Sequence, residues 1–171
     1  MLDADERLDA TARAALAAVP DDGPDGYAIA RATRFCGRTI RGCGWGDEAP
    51  LRLFRTASAT LEAHPVAGGT ADLHETWRVS GPVGRLAGTL EHDSYPTLRD
   101  YGRKFASYTA IEAAGIAGSP GRFARAVVQA ALRAPWLYLG RGGWRDGWRG
   151  AFVAAASAAY PVVVAWRALR R

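Results

Sequence analysis

The sequence predicts a mixed α/β chain in which a strand-rich region precedes a helical one. Up to position 95, short segments alternate between apolar and polar side chains and are bounded by glycine and other turn residues, as is typical of strands. After Pro96, apolar side chains recur at intervals of three and four, which indicates amphipathic helices. The 171 residues are enough for one compact unit with an appendage. We therefore divide the chain into residues 1–95 and residues 96–171.

A short helix and four strands are predicted in the first region. The helix covers "DATARAALAAV", because this segment is rich in alanine, has Asp9 as an N-cap and is stopped by "PDDGPDG". The strands are expected where apolar and polar residues alternate, at 27–35, 51–56, 72–79 and 84–92.

Three helices are predicted in the second region. The first carries its apolar side chains on one face, at Leu98, Tyr101, Phe105, Tyr108 and Ile111. The second covers 121–139, after a serine and a proline that suit a helix start. The segment "GRGGWRDGWRG" then interrupts the chain, and the last helix is expected from about 148 to 169, with a bend at Pro161.

Composition limits the class of protein. Hydrophobic residues make up 49% of the chain and charged residues 23%, which excludes wholesale disorder. Cys36 and Cys43 match no zinc or catalytic spacing, so we expect reduced structural thiols. The N-terminus is acidic and polar rather than basic and then apolar, so no secretory signal is predicted and a cytoplasmic protein is expected.

The opening segment "LDADERLDATARAALAAV" contains a pair of aspartates two residues apart. Such a pair is common on surface loops, and Asp5 and Glu6 could merely favour a helix N-terminus. We interpret Glu6 and Arg7 as solvated residues at the start of the helix. Carboxylates at the end of a strand can instead hold Mg²⁺ or Mn²⁺ and leave ligand positions for diphosphate oxygens. In a strand, Asp3 and Asp5 would face the same side. A calcium loop is disfavoured, because the later glycine and glutamate of that motif are absent.

Four further segments follow the aspartates in order, and the set resembles bacterial family 2 glycosyltransferases similar to the lipopolysaccharide-core glucosyltransferases. The segments are "GWGDEAPLRLFR", "DLHETWRVSGPVGRL", "LEHDSYPTLRDYGRKFASYTAIEA" and "GWRDGWRGAFVAAASAAY". The resemblance covers essentially the whole chain. It implies a GT-A fold, a nucleotide sugar such as a UDP-hexose as donor, a divalent metal and inversion at the anomeric carbon.

The resemblance also implies which part of such an enzyme is present. In the GT-A fold the metal motif follows a nucleotide-binding half, so the chain resembles the C-terminal part of the enzyme, a partial GT-A fold. Asp5 would contact the metal, and Asp3 would lie toward the sugar or ribose. On this expectation the chain alone binds nucleotide sugar poorly and transfers no sugar.

An inverting transfer needs a carboxylate that takes the proton from the acceptor hydroxyl. The acidic pair in "GWGDEAPLRLFR" supplies two candidates. Glu48 falls on the position where relatives carry an acidic residue, whereas Asp47 takes the place of their proline. Both remain candidate bases, and a solvated turn is the alternative.

Four further residues match or adjoin the family's motifs. His74 and Glu75 match a His-Glu pair that could contact the diphosphate or the acceptor or support the metal, and a buried structural pair is the alternative. Trp45 could stack on an acceptor sugar, although a tryptophan in the core is the commoner case. His92 is expected to be a core or capping residue.

The C-terminal third mixes tryptophan with arginine. The net charge of +5 is uneven, with acidic residues concentrated near the N-terminus and arginines near the C-terminus. Aromatic and basic side chains together suit an anionic membrane interface. The apolar run from 150 to 166 is shorter than the roughly 20 residues needed to cross a bilayer, so peripheral attachment is expected. The alternative is that these helices pack on the rest of the chain. Binding of nucleic acid is disfavoured, since no RNA-binding motif is present.

Together these observations predict a glycosyltransferase that moves a hexose from a nucleotide sugar to a lipid-linked glycan such as lipopolysaccharide core. It would act on the inner face of the cytoplasmic membrane. The alternative is a non-catalytic remnant or a membrane-associated accessory module.

Overall fold

The structure is a computed structural model that describes residues 2–65 and 72–171, with side chains described for 2–62 and 77–171. Its strands and helices follow one another in the order β1 (Glu6–Leu8), α1 (Ala10–Ala17), β2 (Gly26–Phe35), β3 (Arg38–Thr39), β4 (Leu51–Phe54), β5 (Ala59–Pro65), β6 (Asp72–Val79), β7 (Val83–Tyr95), α2 (Leu98–Ala114), α3 (Pro120–Pro135) and α4 (Trp148–Leu169). Short 3₁₀ turns cover Trp45–Asp47, Thr56–Ser58 and Gly143–Asp146, and a π-helical turn covers Trp136–Gly140.

A mixed five-stranded sheet organises the first region. Strand β7 pairs with β1 in antiparallel fashion and with β2 in parallel fashion, and β2 also pairs with β3 and β4 in antiparallel fashion. Strands β5 and β6 form a separate antiparallel pair. The prediction of a mixed α/β chain is therefore confirmed.

Most predicted elements occur close to their predicted positions. Helix α1 begins after Asp9, whose carboxylate accepts a hydrogen bond from the Ala12 amide at 2.7 Å. This bond lowers the pKa of Asp9. Helix α1 packs against β7 at Gly88, where φ is +89° and an added Cβ would lie 2.3 Å from the Ala12 nitrogen. The cap and the glycine together place the helix on the sheet.

The two aspartates are the main departure from the predicted elements. They were expected within a strand, but Asp3 and Asp5 precede β1, and residues 4 and 5 form a turn that is closed by a hydrogen bond from the Glu6 amide to the Asp3 carbonyl. The strand begins at Glu6 instead. The alternation of facing that a strand imposes therefore does not place the two carboxylates on one side.

The core joins the sheet to the helices. Phe35 and Ile40 from the first region pack with Tyr101, Leu137 and Val153 from the second. The Phe35 ring stacks on Phe152 at 5.2 Å and meets Tyr101 edge-on at 5.7 Å. A second cluster, of Ala12, Ile29 and Leu90, lies between α1 and the sheet. The division at residue 95 stays a prediction, since residues on both sides of it share one core.

Both cysteines are unpaired. Cys43 is buried, and burial raises the pKa of its thiol, with the Asp146 carboxylate adding to the effect. A buried thiol with a raised pKa is a poor nucleophile, in keeping with a structural role for Cys43.

Tyr101 gives the core a measurable dependence on alkaline pH. Burial raises the pKa of its phenol from 10.0 to about 12, and the neighbouring Tyr95 contributes in the same direction. The unfolded chain therefore loses the Tyr101 proton at lower pH than the folded chain does. The contribution of the protonated phenol to stability is complete below pH 10 and is lost as the pH rises toward 12. We expect the free energy of unfolding in urea to fall over this interval. Tyr101→Phe should flatten the fall, and an unchanged slope would contradict the assignment.

Candidate active site

A network of acidic and basic side chains connects strands β1, β2 and β4 at one side of the sheet. The Glu6 side chain is fully buried, and its carboxylate accepts a hydrogen bond of 2.6 Å from Arg52. The same Arg52 nitrogen lies 2.9 Å from the Asp3 carboxylate. Arg31 lies 3.9 Å from Glu6 and also pairs with Glu48. Glu6 is therefore enclosed by two guanidinium groups, which provide the paired charge that a buried carboxylate requires.

The strand pairings explain why these side chains meet. Glu6 opens β1, Arg31 lies in β2 and Arg52 lies in β4, and β7 and β2 connect the three strands within one sheet. Glu48 is anchored beside Arg31, because its carbonyl accepts the Arg31 amide at 2.8 Å. The Arg31 Nε donates to Glu48 Oε2 at 2.9 Å. The candidate base is thus held by its backbone and its side chain on the same strand residue.

Asp5 belongs to a second set of charged groups. Its carboxylate lies 3.4 Å from His92 Nε2 and 3.7 Å from Lys104 Nζ. His92 also hydrogen-bonds the Ser94 hydroxyl, at 2.7 Å, and Lys104 donates to the Ser94 carbonyl at 3.0 Å. Strand β7 and helix α2 thus place two basic side chains around the candidate metal ligand. His92 is a hydrogen-bonded, largely buried residue, as predicted.

Tyr95 lies between the group that contains Glu48 and the group that contains Asp5. Its ring stacks on Trp45 at 5.7 Å, and Lys104 lies over its face at 5.2 Å. Burial raises the pKa of Tyr95, and the charges of Asp5 and Glu48 act in the same direction while Arg31 opposes them. The phenol is therefore within electrostatic range of both the candidate metal ligand and the candidate base.

The Asp47 side chain faces away from this network of acidic and basic side chains. Its side chain is 71% exposed and pairs with Arg141, which follows α3 in the sequence. The loop before it approaches the C-terminal region closely, since an added Cβ on Gly42 would lie 2.5 Å from the Gly142 carbonyl oxygen. Asp146 holds the same loop by accepting the Gly42 amide at 2.7 Å. Of the two candidate bases, Glu48 is the one linked to the buried network.

An open cleft of about 390 Å³ adjoins Asp5. Arg34, Glu91 and Asp93 line it together with the β1 end of the chain. Arg34 donates to the Gly37 carbonyl at 3.2 Å, while its buried Nε has no hydrogen-bond partner in the part of the chain that the structure describes. The cleft thus combines carboxylates with the guanidinium of Arg34.

Sequence reasoning found only part of this site. It interpreted Glu6 as solvated at a helix start, which is wrong, because Glu6 is buried in a strand; Arg7 is exposed and pairs with Glu91. Arg31, Tyr95 and Lys104 were not singled out, although Lys104 is the only lysine. The side chains of His74 and Glu75 lie outside the described residues, so the roles predicted for them stay predictions.

The donor set fits a divalent cation only in part. Among residues 2–62 and 77–171, no group of three or more His, Cys, Asp or Glu side chains could hold a metal ion. Mg²⁺ is often bound by one or two carboxylates together with substrate phosphates. Asp5 lies beside the open cleft, with His92 and Lys104 within 3.7 Å of its carboxylate, and the Asp3 carboxylate is engaged by Arg52.

Comparisons with known proteins identify no relative of this chain. No protein-family model, no curated protein and no solved structure matches it.

Proposed function

We propose that this chain carries the acceptor and metal side of an inverting glycosyltransferase with a partial GT-A fold. It would transfer a hexose from a nucleotide sugar such as a UDP-hexose to a lipid-linked glycan such as lipopolysaccharide core. The site would act at the cytoplasmic face of the membrane. The observation that supports this proposal is that Tyr95 contacts residues of both groups: Lys104, which lies over its ring, is 3.7 Å from the Asp5 carboxylate, and Trp45, which stacks on it, opens the 3₁₀ turn that Glu48 ends.

The proposed transfer uses Glu48 as the base. Its carboxylate takes the proton from the acceptor hydroxyl, whose oxygen forms a bond to the anomeric carbon from the face opposite the nucleotide. The bond from that carbon to the diphosphate oxygen breaks, and its electron pair leaves with UDP. Arg31 orients the base through Oε2, so Oε1 is available to the hydroxyl.

Other side chains would hold the two substrates. Trp45 and Tyr95 stack on each other, which provides an aromatic wall beside the base for an acceptor sugar. Asp5, with Mg²⁺ or Mn²⁺, would hold the diphosphate beside the cleft that Arg34 also lines. A bound divalent cation would neutralise charge on the departing diphosphate.

A second candidate function is a non-catalytic module. It is favoured by the internal pairing of the key carboxylates, since Glu48 contacts Arg31 and Asp5 contacts His92 and Lys104. Such pairs could serve stability alone. The transferase requires Asp5 to hold a divalent metal ion, whereas the non-catalytic module does not, so substitution of Asp5 distinguishes the two functions.

Asp5→Asn should lower transfer by about 10²-fold or more, because a Lewis-acid metal supplies several kcal/mol of charge stabilisation. Transfer from radiolabelled UDP-glucose to purified rough lipopolysaccharide is measured with Mn²⁺, for this chain and for the protein encoded by the longest open reading frame that contains it. Mn²⁺ binding is followed separately by electron paramagnetic resonance.

The matched control is Asp22→Asn, which removes an exposed carboxylate that does not line this cleft. It should leave transfer within about twofold of wild type, in line with an exposed surface substitution. Equal Mn²⁺ binding and equal transfer in Asp5→Asn and wild type would remove the metal assignment. Transfer absent from both the 171-residue chain and the longer protein, with both folded, would favour the non-catalytic module.

A further inference from the structure

The C-terminal helices distribute their apolar side chains in an unexpected way. One helix, α4 (Trp148–Leu169), is long and apolar enough to cross a membrane by length and composition, with a mean hydropathy of 1.5, among the described residues. Its inner face is packed within the protein, where Val153, Ala154, Ala158 and Val164 are buried. The apolar character of α4 is thus explained in part by packing.

Helix α3 shows the opposite distribution. Its buried position is a small residue, Ala126, whereas larger apolar side chains point outward. Val128 is 61% exposed and Leu132 is 70% exposed, and Leu139 in the following π-helical turn is 66% exposed. Spacings of four and seven residues place these three side chains along one side of the helix. Packing among the described residues does not account for this row.

The region of the chain that carries this row is rich in arginine and tryptophan. From residue 119 to the end the chain contains nine arginines and one acidic residue, Asp146, which is already bonded to the amides of Arg41 and Gly42. Four tryptophans carry an arginine over their rings, at 4.7 to 5.4 Å, in the pairs Trp136/Arg141, Trp144/Arg145, Trp148/Arg149 and Trp166/Arg170. All four tryptophans are about half exposed.

We propose that the outer face of α3, formed by Val128, Leu132, Trp136 and Leu139, lies in the interface of an anionic phospholipid bilayer, while α4 stays packed on the protein. Exposed aliphatic side chains enter the boundary of the acyl chains, and tryptophan occupies the headgroup level. Charge complementarity identifies the occupant, because the flanking arginines are attracted to anionic lipid headgroups. An open groove of about 750 Å³ beside Leu132, Arg133 and Trp136 continues the same surface.

This inference deepens the proposed function by naming the surface that meets a lipid-linked acceptor, and in that respect it rests on the proposed function. Its own evidence is exposure and charge rather than transfer chemistry. Binding to vesicles can therefore be found without transfer, and transfer without binding to vesicles.

The test is sedimentation of the full chain with vesicles of phosphatidylcholine and phosphatidylglycerol, compared with vesicles of phosphatidylcholine alone. Binding should require the anionic lipid and should be released in 0.5 M NaCl, since the Debye length falls as salt rises.

Leu132→Ser should lower the partition coefficient about tenfold. Arg125→Gln and Arg133→Gln should lower it about fivefold each. Leu98→Ser, at a 48% exposed leucine on α2, is the matched control and should bind as wild type.

Four results would overturn the proposal. The first is unchanged vesicle binding by Leu132→Ser in a variant with wild-type circular dichroism. The second is a dimer in sedimentation equilibrium that the same substitution dissociates, which would make the row an interface between copies of the chain. The third is retention of an oligouridylate by a chain that does not bind vesicles, which would assign the arginines and tryptophans to nucleic acid. Vesicle binding that resists 1 M NaCl would contradict the interfacial position and favour insertion of α4.

Discussion

Glu48→Gln should lower kcat by about 10²- to 10⁴-fold, the range that a general base supplies. Glutamine keeps the size of the side chain and can still accept a hydrogen bond from Arg31, but it cannot take a proton from an acceptor hydroxyl. The effect should therefore fall on kcat, with little change in KM for the donor. The measurement is initial-rate kinetics with UDP-glucose and rough lipopolysaccharide, using the 171-residue chain or the longer protein, whichever transfers sugar.

Asp47→Asn is the matched control for this substitution. The two residues are adjacent, yet Asp47 is 71% exposed and pairs with Arg141 at the rim, while Glu48 is tied to Arg31 in the sheet. Loss of an exposed pair should change the rate by less than about fivefold. A large loss in Asp47→Asn with a normal rate in Glu48→Gln would transfer the role of base to Asp47. Normal rates in both would contradict the use of either carboxylate.

The elements that the sequence predicted well are those whose signals are local. Asp9 is an N-cap because its own carboxylate reaches the Ala12 amide, three residues away. Strand β6 occurs at the predicted Asp72–Val79, and helix α4 occurs at the predicted Trp148–Leu169. In each case the residues that specify the element lie inside it or next to it, so no partner is needed to recognise it.

The parts that were missed depend on partners distant in the sequence. Alternation predicts that β2 is a strand, but it does not indicate that β2 pairs in parallel with β7, which is more than fifty residues away. Glu6 follows two aspartates and resembles a solvated acid until Arg52, 46 residues later, encloses it. Tyr95, at the end of β7, stacks on Trp45, which lies fifty residues earlier in a 3₁₀ turn. A candidate site built from such pairs cannot be obtained from spacing alone.

The buried network also makes a prediction about stability, with Glu6 at its centre. Glu6→Ala should lower the free energy of unfolding by about 1–3 kcal/mol, because it removes the carboxylate that Arg31 and Arg52 share, while Glu48 and Asp3 remain as their other partners. Both arginine side chains are less than one quarter exposed, so water cannot fully replace the lost partner. Urea denaturation followed by circular dichroism measures the change.

Glu91→Ala is the control for Glu6→Ala, because Glu91 lies in β7, opposite Arg7 of β1, and forms an ion pair with it. The side chains of that pair are 41% and 75% exposed, so its removal should cost at most about 1 kcal/mol. A double-mutant cycle with Arg52→Leu then separates the ionic contact from lost packing. Residues in direct contact should show a coupling energy of about 0.5–3 kcal/mol. If Glu6→Ala costs no more than Glu91→Ala, and the cycle shows no coupling, then the network does not hold the first strand against the sheet.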